Sequence, residues 1–286
     1  MVGLAGSGVD VPVPVDRTFA EHWSKADVGV DLWAGVLADH VDADGLVDYA
    51  AIGKDRRFLE YLHRLAKTFA KDVGDGKARL AYWINAYNAC AIYGMVRSLP
   101  EDRSKWDDFS PLAVKVPGVK GHGFFVGLRF MVGGVRYTLD EMEKGVMLRR
   151  PGALPRGSIP DETLAPAGPD PRIHFALVCA AKGCPVLSRR PYRAGTVDAQ
   201  LDEAVRTFAA DTRRVVFHRA SRRLEVSQLL DWYGGDLTNP EHEPHAKSVP
   251  AFLARYVADE DLARLLRAER WKMTPIEYDW KVNLQR

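Results

Sequence analysis

Two cysteines and a histidine crowd into the stretch Asp170–Cys184, DPRIHFALVCAAKGC, which Pro185 follows. A thiol, an imidazole and a carboxylate are the parts of a nucleophile, a base and an orienting group. Read as a buried strand, Ile173–Cys179 puts His174 on one face and Cys179 on the other. At roughly 3.3 Å per residue the two lie about 16 Å apart, so on a regular strand they are not partners. Cys184 falls beyond the strand, between Gly183 and Pro185. Proline is favoured at a first helical position, which makes Cys184 the N-cap of a short turn. There the positive helix end and neighbouring Lys182 favour a thiolate. Five residues of chain reach at most about 17 Å. Cys184 therefore meets His174 only if the loop folds straight back. Glu143, on a separate helical segment, is the candidate orienting carboxylate.

Several elements must position these groups. Leu80–Leu99 reads as a helix apolar almost all round and hence buried. Asn85 and Asn88, three apart, share one of its faces, and buried amides need hydrogen-bond partners. Asp55–Lys71 is an amphipathic helix, with Phe58, Leu59, Leu62, Leu65 and Phe69 on its apolar side. Phe124–Tyr137 reads as two short strands around Gly133-Gly134, followed by a helix from Asp140 to about Leu148. The stretch from Arg150 to Pro171 holds six prolines and reads as a long loop, of the kind used as lids. Asp198–Ala210 is helical, Arg214–Val226 a hairpin, Ser248–Ala268 helical again, and IEYDWKV a final strand. Helices and strands without βαβ regularity predict an α+β domain, with a buried helix packed on a mixed or antiparallel sheet. One domain over residues 20–286 is expected, after a flexible tail over residues 1–19.

RIHFALVCAAKGCP, the helix WINAYNA at Trp83–Ala89 and YTLDEMEKGVMLR at Tyr137–Arg149 resemble, in order, signature segments of the domain of unknown function 547 family. The resemblance runs from about Val47 to Tyr233. The family's acidic motif reads roughly Ile-Glu-His-Gly, whereas here it is Met142-Glu143-Lys144-Gly145. Glu143 is kept and the second histidine is not. The resemblance implies that bacterial relatives are often exported and that some plant relatives carry a glutaredoxin-like domain. The pattern of a buried helix followed by a sheet with a histidine is also similar to papain-like cysteine hydrolases. In those the nucleophile usually opens the helix; here that helix carries Asn85 and Asn88.

Composition narrows the classes. At 286 residues and 47% hydrophobic the chain can bury a full core. A net charge of +2, with both signs interspersed, leaves no basic stripe for nucleic acid. No apolar run reaches the roughly 20 residues of a membrane span. Neither a signal peptide nor a myristoylation pattern is read at the N-terminus, so a cytoplasmic location is expected, or export if a leader was removed. Three cysteines do not make a disulfide framework. Phosphate-binding glycine loops and a Gly-x-Ser-x-Gly elbow are missing from the sequence.

The sequence thus points to a cysteine-dependent hydrolase or acyl transferase using a Cys–His pair in a cleft. Cys184 is the nucleophile, His174 the base and Glu143 the orienting group, with Asn85, Asn88, Arg172 and Lys182 expected to bind a small-molecule or peptide substrate. No cofactor is called for. The alternatives are a non-catalytic binding domain and a thiol–disulfide protein using Cys179 and Cys184. A zinc site from His122, His174, Cys179 and Cys184 fits no standard spacing. Asp236, Glu241, His242, Glu243 and His245 read either as weak metal ligands or, more plainly, as a solvated loop, and Trp232, Tyr233, Trp271 and Trp280 as core.

Overall fold

One long helix organises the molecule. In the computed structural model, which describes residues 8–24, 28–154, 165–268 and 270–286, helices α1 (Val30–His40), α2 (Tyr49–Ile52) and α3 (Arg56–Lys67) precede α4 (Gly76–Ser98). Asp75 caps α4 by accepting from the Ala78 N–H. Every residue of α4 from Leu80 to Met95 is buried. An amphipathic neighbour, α3, lays Phe58, Leu62 and Leu65 on the core, while its Arg64 pairs with buried Glu60 one turn away.

Beyond α4 come α5 (Gly123–Val126) and strands β2 (Leu128–Val132) and β3 (Val135–Tyr137). The Gly133-Gly134 turn joins these strands in an antiparallel hairpin, both glycines taking positive φ. Strand β1 (Val9–Asp10) lies parallel to β2. The part of the expected tail that is described is therefore docked, with Val11 and Phe19 buried. The rest of the chain contributes α6 (Val197–Ala210), the hairpin β4 (Val215–His218) and β5 (Arg223–Ser227), α7 (Gln228–Thr238), α8 (Val249–Leu253), α9 (Glu260–Ala268) and β6 (Lys272–Ile276). Strand β6 adds parallel to β5. Two small three-stranded sheets and nine α-helices, α4 among them, make a mixed α+β domain among the described residues. One continuous apolar core runs from Val11 to Val282. No helix among the described residues is long and apolar enough to cross a membrane.

Several expected elements differ. Residues Pro171–Phe175 form a 3-10 helix, not the start of a strand. Asp170 caps its first turn through the Arg172 N–H, and Pro171 presets its φ. Past Phe175, the Asn88 side chain donates to the Ala176 carbonyl and accepts from the Val178 N–H, supplying the bonds a strand partner would have made. After Pro185 there is no helix for Cys184 to cap; its own N–H closes a turn onto the Ala181 carbonyl. Glu141–Met147 is a π-helix, entered through reciprocal bonds between Thr138 and Glu141. The expected final strand IEYDWKV is displaced toward Lys272–Ile276. Of the Pro-rich loop, residues 155–164 lie outside the described part.

Candidate functional site

Cys184 is 2% exposed, yet it lines a cavity of about 510 Å³ together with Cys179, His174 and Glu143. The loop from Cys179 does fold straight back. Ala180 adopts a left-handed backbone, φ 63°, which reverses the chain. The C-terminal segment then clasps the loop: Lys182 and Gly183 donate backbone N–H bonds to Lys281 and Asp279, and Asn283 donates to Ala180. At Gly183 a Cβ would stand 2.8 Å from three ring carbons of Tyr278, so only glycine lets that ring lie flat on the loop. From the other side, buried Arg214 donates from Nε to the Cys184 carbonyl at 3.0 Å.

These contacts leave the two sulfurs 2.6 Å apart as free thiols. Cys184 Sγ also accepts the Cys179 backbone N–H at 3.0 Å and the Tyr278 hydroxyl at 3.1 Å. Tyr278 Oη is 3.4 Å from Cys179 Sγ as well. Burial alone pushes the Cys184 thiol up, but the bonds from Cys179, Tyr278 and backbone N–H groups outweigh it and bring it down to about 7. Cys179 moves the opposite way, well above its ordinary value, chiefly because it donates to Cys184 and is itself desolvated. One proton held between two thiols explains both directions.

Across the cavity, His174 is clamped between carboxylates. Its Nε2 lies 2.8 Å from Asp236 Oδ2. Its Nδ1 stands 3.4 Å from Glu143 Oε1, a looser ion-pair contact. That buried oxygen has no hydrogen-bond partner. The imidazole stacks on Tyr233, ring centroids 3.8 Å apart. Burial works against a charged ring, yet the bonds and charges of Asp236 and Glu143 raise the His174 pKa above its ordinary value. Burial likewise raises Asp236, but His174 and Arg150 hold its carboxyl below the usual range. Each ring nitrogen of His174 thus faces a carboxylate. Among the described residues no hydrogen bond joins it to either sulfur.

The other expected residues separate. Asn88 fixes the segment between His174 and Cys179 from beneath. Asn85 bonds both backbone groups of Tyr192 and does not line the cavity. Arg172 binds Asp170, Asp198 and Asp202 and faces a different cavity of about 580 Å³. Lys182 lies on a third, beside Arg213 and Arg214. His122 reaches the rim of the first cavity, where it stacks on Trp280. No group of three or more metal-binding side chains gathers among the described residues.

Local spacing missed Asp236, Tyr233, Trp232, Tyr278 and Trp280. All but Asp236 line the cavity, and Asp236 supports His174 from behind. Of the four aromatics expected as core, only Trp271 stays away from the cavity. The one available signal was the pair of acids and histidines near Asp236, which spacing assigned to a loop.

The π-helix with Glu143, the 3-10 helix with His174 and the thiol loop all fall within residues 73–209, which match the family described as "Protein of unknown function, DUF547". Over those residues the chain belongs to the DUF547 family. No curated protein and no solved structure matches the chain. The DUF547 match is shorter than the Val47–Tyr233 resemblance at both ends. Tyr233, Asp236 and Tyr278, which complete the surroundings of His174 and Cys184, come from the chain beyond it.

Proposed function

We propose that the cavity is a thiol–disulfide exchange site whose reactive element is the Cys179–Cys184 pair. The observation that carries this reading is the contact of the two sulfurs under a shared tyrosine hydroxyl, at the wall of a cavity large enough for a small-molecule or peptide disulfide. The Cys184 thiolate attacks one sulfur of a substrate disulfide. That S–S bond breaks and the first substrate thiolate leaves, taking a proton from water. Cys184 is then neutral, so the interaction that held the Cys179 proton disappears. Cys179, partly buried at the cavity wall, then loses its proton to solvent and attacks the Cys184 sulfur, expelling the second substrate thiolate. Two electrons pass from the dithiol to the substrate, leaving a Cys179–Cys184 disulfide.

A second reading keeps Cys184 as the nucleophile of an acyl transferase or hydrolase, the chemistry to which the papain-like similarity belongs. Its support is the thiol drawn down to about 7 in the cavity that also holds Glu143. His174 fits it less well, because neither ring nitrogen is free to take the thiol proton.

Equilibration in mixtures of reduced and oxidised glutathione, followed by alkylation and mass spectrometry, separates the readings. A reversible Cys179–Cys184 disulfide, and accumulation of a Cys184–glutathione adduct in Cys179→Ser, support exchange. A pair that stays reduced throughout, with no adduct in the variant, rejects it. Cys184-dependent release of product from activated esters would then favour acyl transfer.

A further inference from the structure

Beside the thiols, the cavity carries a buried carboxylate and a set of aromatic rings that the exchange step leaves largely unused. Glu143 is 7% exposed, lines the cavity, and keeps one carboxylate oxygen without a hydrogen-bond partner. The ring that faces it, His174, stands closer to Asp236 than to Glu143, 2.8 against 3.4 Å. A buried carboxylate that is only half compensated favours a donor with positive charge. Tyr87 and Tyr233 line the same cavity as Glu143 and both cysteines, so the carboxylate and the thiols share one chamber. Toward the opening, Trp232 packs on Tyr278 and Trp280 at centroid distances of 5.0 and 5.6 Å while staying 45% exposed.

We propose that this chamber binds a linear organic cation, of the alkylammonium kind that a lysine side chain carries, with its charge on Glu143 and its methylenes along the aromatic wall. Ring faces attract cations, and their apolar area covers an alkyl chain. Among the described residues an anion finds no comparable partner in this cavity. Lys144 is already tied to Asp140, and His174 faces two carboxylates. Lys120 stands exposed at the mouth, where solvent screens it. A bound cation would also lie near the Cys184 sulfur and favour its thiolate. Basic residues beside the reacting disulfide are then the substrate feature that the site selects. The inference rests on the cavity being a ligand site, as proposed above, but not on the redox activity of the thiol pair.

The probes are n-butylammonium, n-butanol and butyrate, similar in size and different in charge. Each is titrated at millimolar concentration into the reduced full-length protein, with tryptophan fluorescence reporting on Trp232 and Trp280. Binding of the ammonium on the order of ten times tighter than the alcohol, a difference lost in Glu143→Gln, is the expected result. Equal binding of alcohol and ammonium would mean a merely apolar cavity, and preference for butyrate an anion site; either overturns the inference. So does a Glu143→Gln protein that keeps the preference. Because the three probes are compared on the unmodified protein, the comparison stands even if the variant does not fold. It is independent of the glutathione experiment, so either proposal can fail alone. A second signature is the ultraviolet thiolate absorbance: saturating ammonium should move the Cys184 titration to lower pH, whereas butanol should leave it in place.

Discussion

The Tyr278 hydroxyl stands 3.1 Å from Cys184 Sγ and 3.4 Å from Cys179 Sγ, so one phenol from the far end of the sequence bridges both thiols. Burial raises its own pKa well above the ordinary value, so it remains a donor. Tyr278→Phe keeps the ring on Gly183 and removes only that donor. The alkylation midpoint of Cys184 is expected to rise from about 7 toward the ordinary thiol range. Iodoacetamide rates across pH measure it, and an unchanged midpoint would show that the hydroxyl does not hold the thiolate.

Gly183→Ala tests the same contact sterically. A Cβ 2.8 Å from the Tyr278 ring must displace the ring or the loop. Overpacking of this kind costs about 1–3 kcal/mol. Urea unfolding should report that loss, together with a Cys184 midpoint shifted upward as in Tyr278→Phe.

Stability should depend on pH through His174 and Asp236. His174 has a raised pKa in the folded protein. Its contribution is complete below its unfolded value of about 6.5 and disappears as pH rises through the raised folded value. Asp236 is lowered. Its contribution is present above its unfolded value of about 3.9 and disappears as pH falls through the lowered folded value. Unfolding midpoints measured across pH should therefore weaken at both ends. In His174→Gln the loss of stability as pH rises above about 6.5 should vanish, leaving the opposite slope that the lowered Cys184 thiol gives above about 7; a loss unchanged in the variant would assign it to another group.

Arg172→Ala should destabilise without touching the thiols. It leaves Asp170 buried and unpaired, a loss of about 3–5 kcal/mol for a broken buried pair. Cysteine alkylation below the unfolding transition should match the parent protein. Altered Cys184 reactivity would return Arg172 to the site.

Much of this arrangement was readable along the chain, and the parts that were not share a cause. Trp83–Ala89 announced a buried helix because its apolar residues leave no polar face, and Glu143, His174 and Cys184 stood out by type. The strand expected at Ile173–Cys179 did not form, since two side chains distant in sequence, or poorly marked by periodicity, decided its backbone: Asp170 caps a 3-10 turn and Asn88 takes the bonds of a ladder. Apolar runs of this length do not distinguish a strand from other buried backbone. The Cys184–His174 pair was inferred from residue chemistry alone. Distance depends on the loop reversal at Ala180 and on Asp236, which meets His174 62 positions away. Tyr278, 94 positions from Cys184, leaves no spacing signal at all.

The clasp of residues 278–283 on the thiol loop also has a bearing on biosynthesis. A chain emerging from the ribosome exposes Cys179 and Cys184 long before Tyr278, Asp279, Lys281 and Asn283 have been added. Until then neither the phenol that stabilises the thiolate nor the backbone bonds that hold the loop exist. The nascent cysteines behave as ordinary thiols, and the low-pKa site assembles only once residues 278–283 have emerged and the surrounding core can close over it.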